Sequence, residues 1–159
     1  AKVISGFRST HYYIEIGGEM KLSVPKNSSK FWKIGIYTPD YDTTQQGLFA
    51  TIKLQNEAIA TSGDYRNFFK KNGKIYSHIL DPRKGKPLDN NVSSVTVVAS
   101  NCMLADSLAT ALMVMGKERG LALVEALEGV ECLIIERRAA NTFASYYSSD
   151  FLKYTDDFK

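Results

Sequence analysis

Asp106 and Thr110 stand four residues apart in the run Cys102 to Met115, which is otherwise apolar except for Ser107. On a helix that spacing sets a carboxylate and a hydroxyl one above the other on a single face. A carboxylate on an apolar helix is costly to bury unless a cation or several donors satisfy it, so the stripe points at a charged group. Two such oxygens suit a hard divalent ion such as Mg²⁺, which keeps waters and substrate phosphates in its remaining positions. Alternatively, Asp106 accepts backbone N–H groups or pairs with a lysine or arginine, while Thr110 bonds back to the Asp106 carbonyl. His78 comes three residues before Asp81-Pro82, at the end of a strand-like run. Imidazole there can take a proton from a hydroxyl at neutral pH, or be merely packed or exposed. Thr61-Ser62-Gly63-Asp64-Tyr65 is a turn cluster in which Ser62 and Gly63 let backbone N–H groups approach a phosphate, or a plain β-turn. Gly17-Gly18-Glu19 either permits close backbone approach to a ligand or forms a bulge. No GxGxxG or Walker pattern is present.

These residues need elements to hold them. Tyr12–Ile16 and Met20–Val24 alternate as strands around a glycine break, and Phe31–Tyr37, Phe49–Leu54 and Glu57–Ala60 follow, with a polar loop from Tyr41 to Gly47. Asn72-Gly73 between Arg66–Lys71 and Lys74–Leu80 accepts the positive φ angles of a type I′ turn and predicts a hairpin in which Asn67 faces His78. Asp81–Pro87, with two prolines and Gly85, is expected to be a rigid loop. Val92–Ala99 is a strand. Cys102–Met115 is a helix capped by Ser100 or Asn101 and stopped by Gly116, apolar nearly all round and so expected to be buried. A second helix over Lys117–Leu127, strands at Glu131–Glu136 and Thr142–Tyr147 joined by a turn from Arg138 to Asn141, and a short terminal helix capped by Ser148–Asp150 complete an α+β pattern.

A length of 159 residues fits one domain with a sizeable core. Twenty basic against 17 acidic residues leave +3, too small a surplus to argue for a nucleic-acid partner. The densest basic stretch, Arg83–Lys86, alternates with Gly and Pro, and the Lys70-Lys71 and Arg137-Arg138 pairs are expected to be solvated turn flanks. Cys102 and Cys132 fit no zinc spacing and are expected to be buried free thiols. No 18-residue apolar run or signal-peptide core occurs, so no membrane span is expected. The chain starts at Ala rather than Met, so a preceding piece is expected.

Five stretches occur together, in order, that resemble the FAD:protein FMN transferase (ApbE) family. They are Tyr13–Glu19, Trp32–Ile36, Ala60–Tyr65, Tyr76–Pro82 with Gly85-Lys86-Pro87, and Ala105–Ala111. The last two are the most specific, and the match covers the C-terminal half of a family member. The family's preceding half, which supplies an Ala-Lys-Gly segment and much of the FAD pocket, has no counterpart here.

The resemblance implies a T-fold-like α+β domain, an antiparallel sheet with a buried helix pair. It implies a transferase that cleaves FAD at its pyrophosphate and esterifies FMN to a Ser or Thr hydroxyl of an acceptor flavoprotein, releasing AMP. Asp106 and Thr110 match the family's Mg²⁺ ligands, and His78 matches the base for the incoming hydroxyl. Ile79 and Leu80 would line the flavin-nucleotide site, with Ser62, Gly63 and Glu19 beside them. A bacterial periplasmic or membrane location by a lipid anchor outside this chain is the family expectation. The alternatives are an FAD pyrophosphatase, with water as acceptor, and a non-catalytic folded module lacking half the FAD pocket. An uncovered sheet edge would favour a homodimer.

Overall fold

A computed structural model describes residues 2–7, 9–42, 44, 47–138 and 142–155. In chain order the elements are α1 (Lys2–Gly6), β1 (Tyr12–Ile16), β2 (Glu19–Ser23), β3 (Trp32–Tyr37), β4 (Leu48–Leu54), β5 (Ala58–Gly63), β6 (Phe68–Lys71), β7 (Lys74–Ser77), β8 (Leu80–Asp81) and β9 (Lys86–Pro87). They continue with β10 (Val92–Ala99), α2 (Cys102–Met115), α3 (Lys117–Glu125), β11 (Glu131–Arg137), β12 (Phe143–Tyr147) and a closing 3₁₀ turn, Phe151–Tyr154.

Six strands form one antiparallel sheet in the order β1-β2-β5-β10-β11-β12. Helices α2 and α3 cover one face. The β3–β4 ladder and the 3₁₀ turn cover the other, so the core is split in two by the sheet. All eight residues of β10 are buried because it lies between these layers. Of its polar members, Thr96 Oγ1 bonds Thr61 Oγ1 at 2.9 Å, whereas the buried Ser93 and Ser94 hydroxyls have no hydrogen-bond partner among the described residues. This is the α+β class expected from the sequence.

Helix α2 starts where Asn101 Oδ1 accepts from the Leu104 N–H at 3.0 Å and stops at Gly116, whose φ of +80° suits a residue without Cβ. Ala105, Ala109, Leu112 and Met113 are fully buried against the sheet. Burying Leu112 and Met113 stabilises the packing by about 1.5–3 kcal/mol each. The expectation of a helix buried all round is corrected: α2 is an outer layer, so only the stripe at 105, 109, 112 and 113 is fully covered, Leu104, Leu108, Val114 and Met115 pack against the core half-buried, and Met103 is 79% exposed.

Other boundaries shift for tertiary reasons. The cluster 61–65 is not a turn throughout, because Thr61, Ser62 and Gly63 pair with Thr96, Val95 and Ser94 and extend β5 to Gly63. The expected rigid loop 81–87 contains a small ladder, Leu80 with Pro87 and Asp81 with Lys86. The terminal helix is a single 3₁₀ turn without a side-chain cap. Asn72 (φ +51°) and Gly73 (φ +74°) close β6–β7 as predicted. Of the expected loops 41–47 and 138–141, Thr43, Gln45, Gln46 and Ala139–Asn141 lie outside the described residues. No helix among the described residues is long and apolar enough to cross a membrane.

Candidate active site

A cleft of about 800 Å³ opens where the end of β5, the chain leaving β7 and the outer face of α2 converge. The sequence-predicted residues meet there: Glu19 from β2, Ser62 and Gly63 from β5, His78, Ile79 and Leu80 after β7, and Asp106 and Thr110 from α2. A second recess of about 470 Å³ shares Glu19 and Asp106 with it and continues past Lys21, Cys102 and Met103 to Ile14 and Ile16 on the edge strand.

His78 is fixed by Asn67, its partner across the hairpin. The His78 N–H donates to the Asn67 carbonyl at 3.2 Å, and Nδ1 lies 2.8 Å from the same oxygen. A backbone carbonyl only accepts, so Nδ1 carries a proton, and in the neutral ring Nε2 is the basic nitrogen. Ser77 is buried below it, and its Oγ accepts from the Ile79 N–H at 3.1 Å. The Ile79 carbonyl accepts from the Leu88 N–H at 2.9 Å. With both backbone groups engaged, Ile79 lines the cleft without offering a free backbone donor.

On the opposite wall, Thr110 Oγ1 lies 2.9 Å from Ser62 Oγ, so the hydroxyl bridges α2 to β5. Asp106 is exposed to the cleft, which corrects the premise of a buried carboxylate. Among the described side chains, none hydrogen-bonds or ion-pairs with it. Nor do the described residues gather three His, Cys, Asp or Glu side chains into one metal-binding group. One carboxylate with two neighbouring hydroxyls does not make an all-protein cage. It does fit Mg²⁺, which is held through one or two carboxylates and completes its shell with waters and phosphate oxygens.

Gly63 serves packing. A Cβ there would meet the Tyr65 ring at 2.4 Å, and that ring is buried. Just beyond, Asp64 anchors the end of β5: its Oδ2 accepts from Tyr41 OH at 2.6 Å, and Arg137 Nη2 is 3.6 Å from Oδ1. Burial pushes the Asp64 carboxyl up, and burial with the Asp64 bond pushes the Tyr41 hydroxyl up to about 12.

Sequence reasoning missed Arg66 and Asn67 as lining residues. The predicted hairpin register placed Asn67 opposite His78 and so held the signal for both. Arg66 Nη1 packs over Gly18, 3.1 Å from where a Cβ would stand, and the φ of +108° there itself favours glycine. Its guanidinium gives the cleft a cation suited to phosphate oxygens. Cys132 is buried as expected, its thiol pushed up to about 12 by burial, whereas Cys102 is only partly buried at the second recess.

A model of the ApbE family matches residues 1–134. The chain belongs to the ApbE family. Among ApbE relatives, the FAD:protein FMN transferase of Vibrio cholerae is 45% identical over 141 residues, covering 89% of this chain and 41% of its own length. That of Haemophilus influenzae is 36% identical over 98% of this chain and 44% of its own length. Among solved structures, the flavin transferase ApbE from Vibrio cholerae superposes with a TM-score of 0.78 at 40% identity, over 96% of this chain and 47% of that one. The ApbE protein from Thermotoga maritima gives 0.81 at 33% identity, over 97% and 48%. The chain therefore spans less than half the length of these ApbE proteins.

Proposed function

We propose that the cleft is one wall of a flavin-transfer site, in which FMN moves from FAD to a Ser or Thr hydroxyl of an acceptor flavoprotein and AMP leaves. The observation that carries this is the tethered imidazole: His78, its Nδ1 held by the Asn67 carbonyl, lines the cleft that also holds Asp106 and the Ser62–Thr110 pair. The acceptor oxygen attacks the phosphorus on the FMN side of the pyrophosphate, the bond from that phosphorus to the AMP oxygen breaks, and the hydroxyl proton passes to Nε2 of His78. Arg66 is positioned to take pyrophosphate charge. Asp106 and Thr110 would hold Mg²⁺, which supplies charge neutralisation at the pyrophosphate. The reading brings with it the family's location, the bacterial periplasm or cell membrane, through a lipid anchor outside these residues.

The test is flavin fluorescence quenching by this chain with and without Mg²⁺, alongside assay of AMP and of FMN attached to protein. Mg²⁺-dependent quenching and, with acceptor and full-length enzyme, protein-bound FMN with one AMP per FMN are the expected results. Free FMN with AMP in place of protein-bound FMN would overturn the transferase assignment in favour of hydrolysis.

A further inference from the structure

The lysines at 70–71 and 84–86, and the hairpin that carries the first pair, have no role in the site described above. Hairpin β6–β7 pairs with no other strand among the described residues. Its register places Asn67 opposite His78 and Phe69 opposite Tyr76, with Lys71 next along the same face. The other face is anchored: Phe68 meets the Tyr41 ring edge-on at 4.9 Å, and Ser77 is buried. On the His78 face the Phe69 and Tyr76 rings stack at 5.1 Å with 11° between their planes, and Phe69 is 52% exposed. Beside them, Tyr76 shares a groove of about 380 Å³ with Lys84 and Lys86 of the next hairpin. Two carboxylates border that groove. Asp81 is held by Arg83 through contacts of 2.9 and 2.8 Å, and Asp89 is the other, beside the exposed Lys84 and Lys86; the exposed Lys71 stands outside the groove, near the tip of the β6–β7 hairpin.

From this track we infer that the His78 face of β6–β7, with Lys84 and Lys86, is the docking surface for the acceptor, and that the docked segment is an extended acidic stretch of polypeptide. This rests on the transferase reading, which requires a protein hydroxyl at His78. From His78 to the position opposite Lys71 the strand runs four residues, about 13 Å. An extended segment with its hydroxyl at His78 therefore lays its next four or so residues along the aromatic pair and brings acidic side chains to the lysines.

The test is fluorescence anisotropy with the 159-residue chain and a labelled 14-residue peptide containing one Thr and four Asp, against the same peptide with Asn at the four positions. Binding of the acidic peptide, at least tenfold weaker binding of the Asn peptide, and at least a tenfold loss in the combined Lys71→Glu, Lys84→Glu, Lys86→Glu variant are expected. FAD quenching should be unchanged in that variant, because none of the three lines the FAD cleft. No binding of the acidic peptide, equal binding of the Asn peptide, or an unaffected variant overturns the inference. So does a 14-nucleotide dT strand that binds as tightly, since the surface would then read charge alone. Retained FAD binding with failed peptide binding removes only this surface. Peptide binding that meets all these criteria, with no protein-bound FMN formed by the full-length enzyme and acceptor, keeps the surface and removes the transferase reading.

Discussion

Ser62 Oγ and Thr110 Oγ1 lie 2.9 Å apart and tie the third strand of the sheet to the helix that carries Asp106. If Thr110 donates to Ser62, its lone pairs turn toward the cleft, where a cation would use them.

Ser62→Ala removes that orientation without touching the carboxylate. In the full-length enzyme it is expected to raise the Mg²⁺ concentration for half-maximal turnover by about 10- to 100-fold, as loss of a group that orients a metal ligand does. Asp106→Ala is expected to abolish Mg²⁺-dependent turnover. A Mg²⁺ titration of both variants checks the pair, and Mg²⁺-dependent activity retained in Asp106→Ala would remove the ligand assignment.

His78→Gln keeps a side-chain donor for the Asn67 carbonyl but has no basic nitrogen. The transfer rate is expected to fall by about 10²- to 10⁴-fold, the usual contribution of a positioned base. FAD affinity should stay within about twofold, since the same bond keeps the hairpin end in place. Single-turnover rates and FAD titration separate the two, and equal losses in both would give His78 a binding role.

Gly63→Ala drives a methyl into the buried Tyr65 ring, 2.4 Å from its nearest atom. The cost expected is about 1–3 kcal/mol of stability, typical of overpacking in a tight core. Denaturant unfolding measures it, and an unchanged midpoint would mean that the ring can move.

Asp81 makes stability depend on pH at the acid end. The side-chain bonds from Arg83 hold its carboxyl down at about 2, below the ordinary 3.8. A depressed carboxyl stabilises the fold fully above the unfolded value, and that contribution is lost as pH falls through the folded one. The melting-temperature gap between wild type and Asp81→Asn should therefore be constant above about pH 5 and shrink between about pH 4 and pH 2. A gap that persists at pH 2 would sink the assignment.

Much of the framework was legible because local chemistry specified it. Asn101 and Gly116 delimit α2, and Asn72-Gly73 sets the hairpin that pairs Asn67 with His78. What was not legible depended on distant partners. Gly63 has the composition of a turn, yet pairing with Ser94 holds it in a strand. Fourteen mostly apolar residues do not say which side of a helix a sheet will cover, so Asp106 was expected to be buried and stands exposed. Arg66 packs over Gly18 of the turn between β1 and β2, a contact between distant parts of the chain that no local pattern announces.

The two-sided core has a consequence for substitution. The cleft stands on the α2 face, whereas Ile36, Ile52, Leu54 and Phe151 fill the opposite one. Substitutions in that opposite layer tax folding without displacing a reacting group. Repacking that layer can therefore change stability while the groups lining the cleft keep their places.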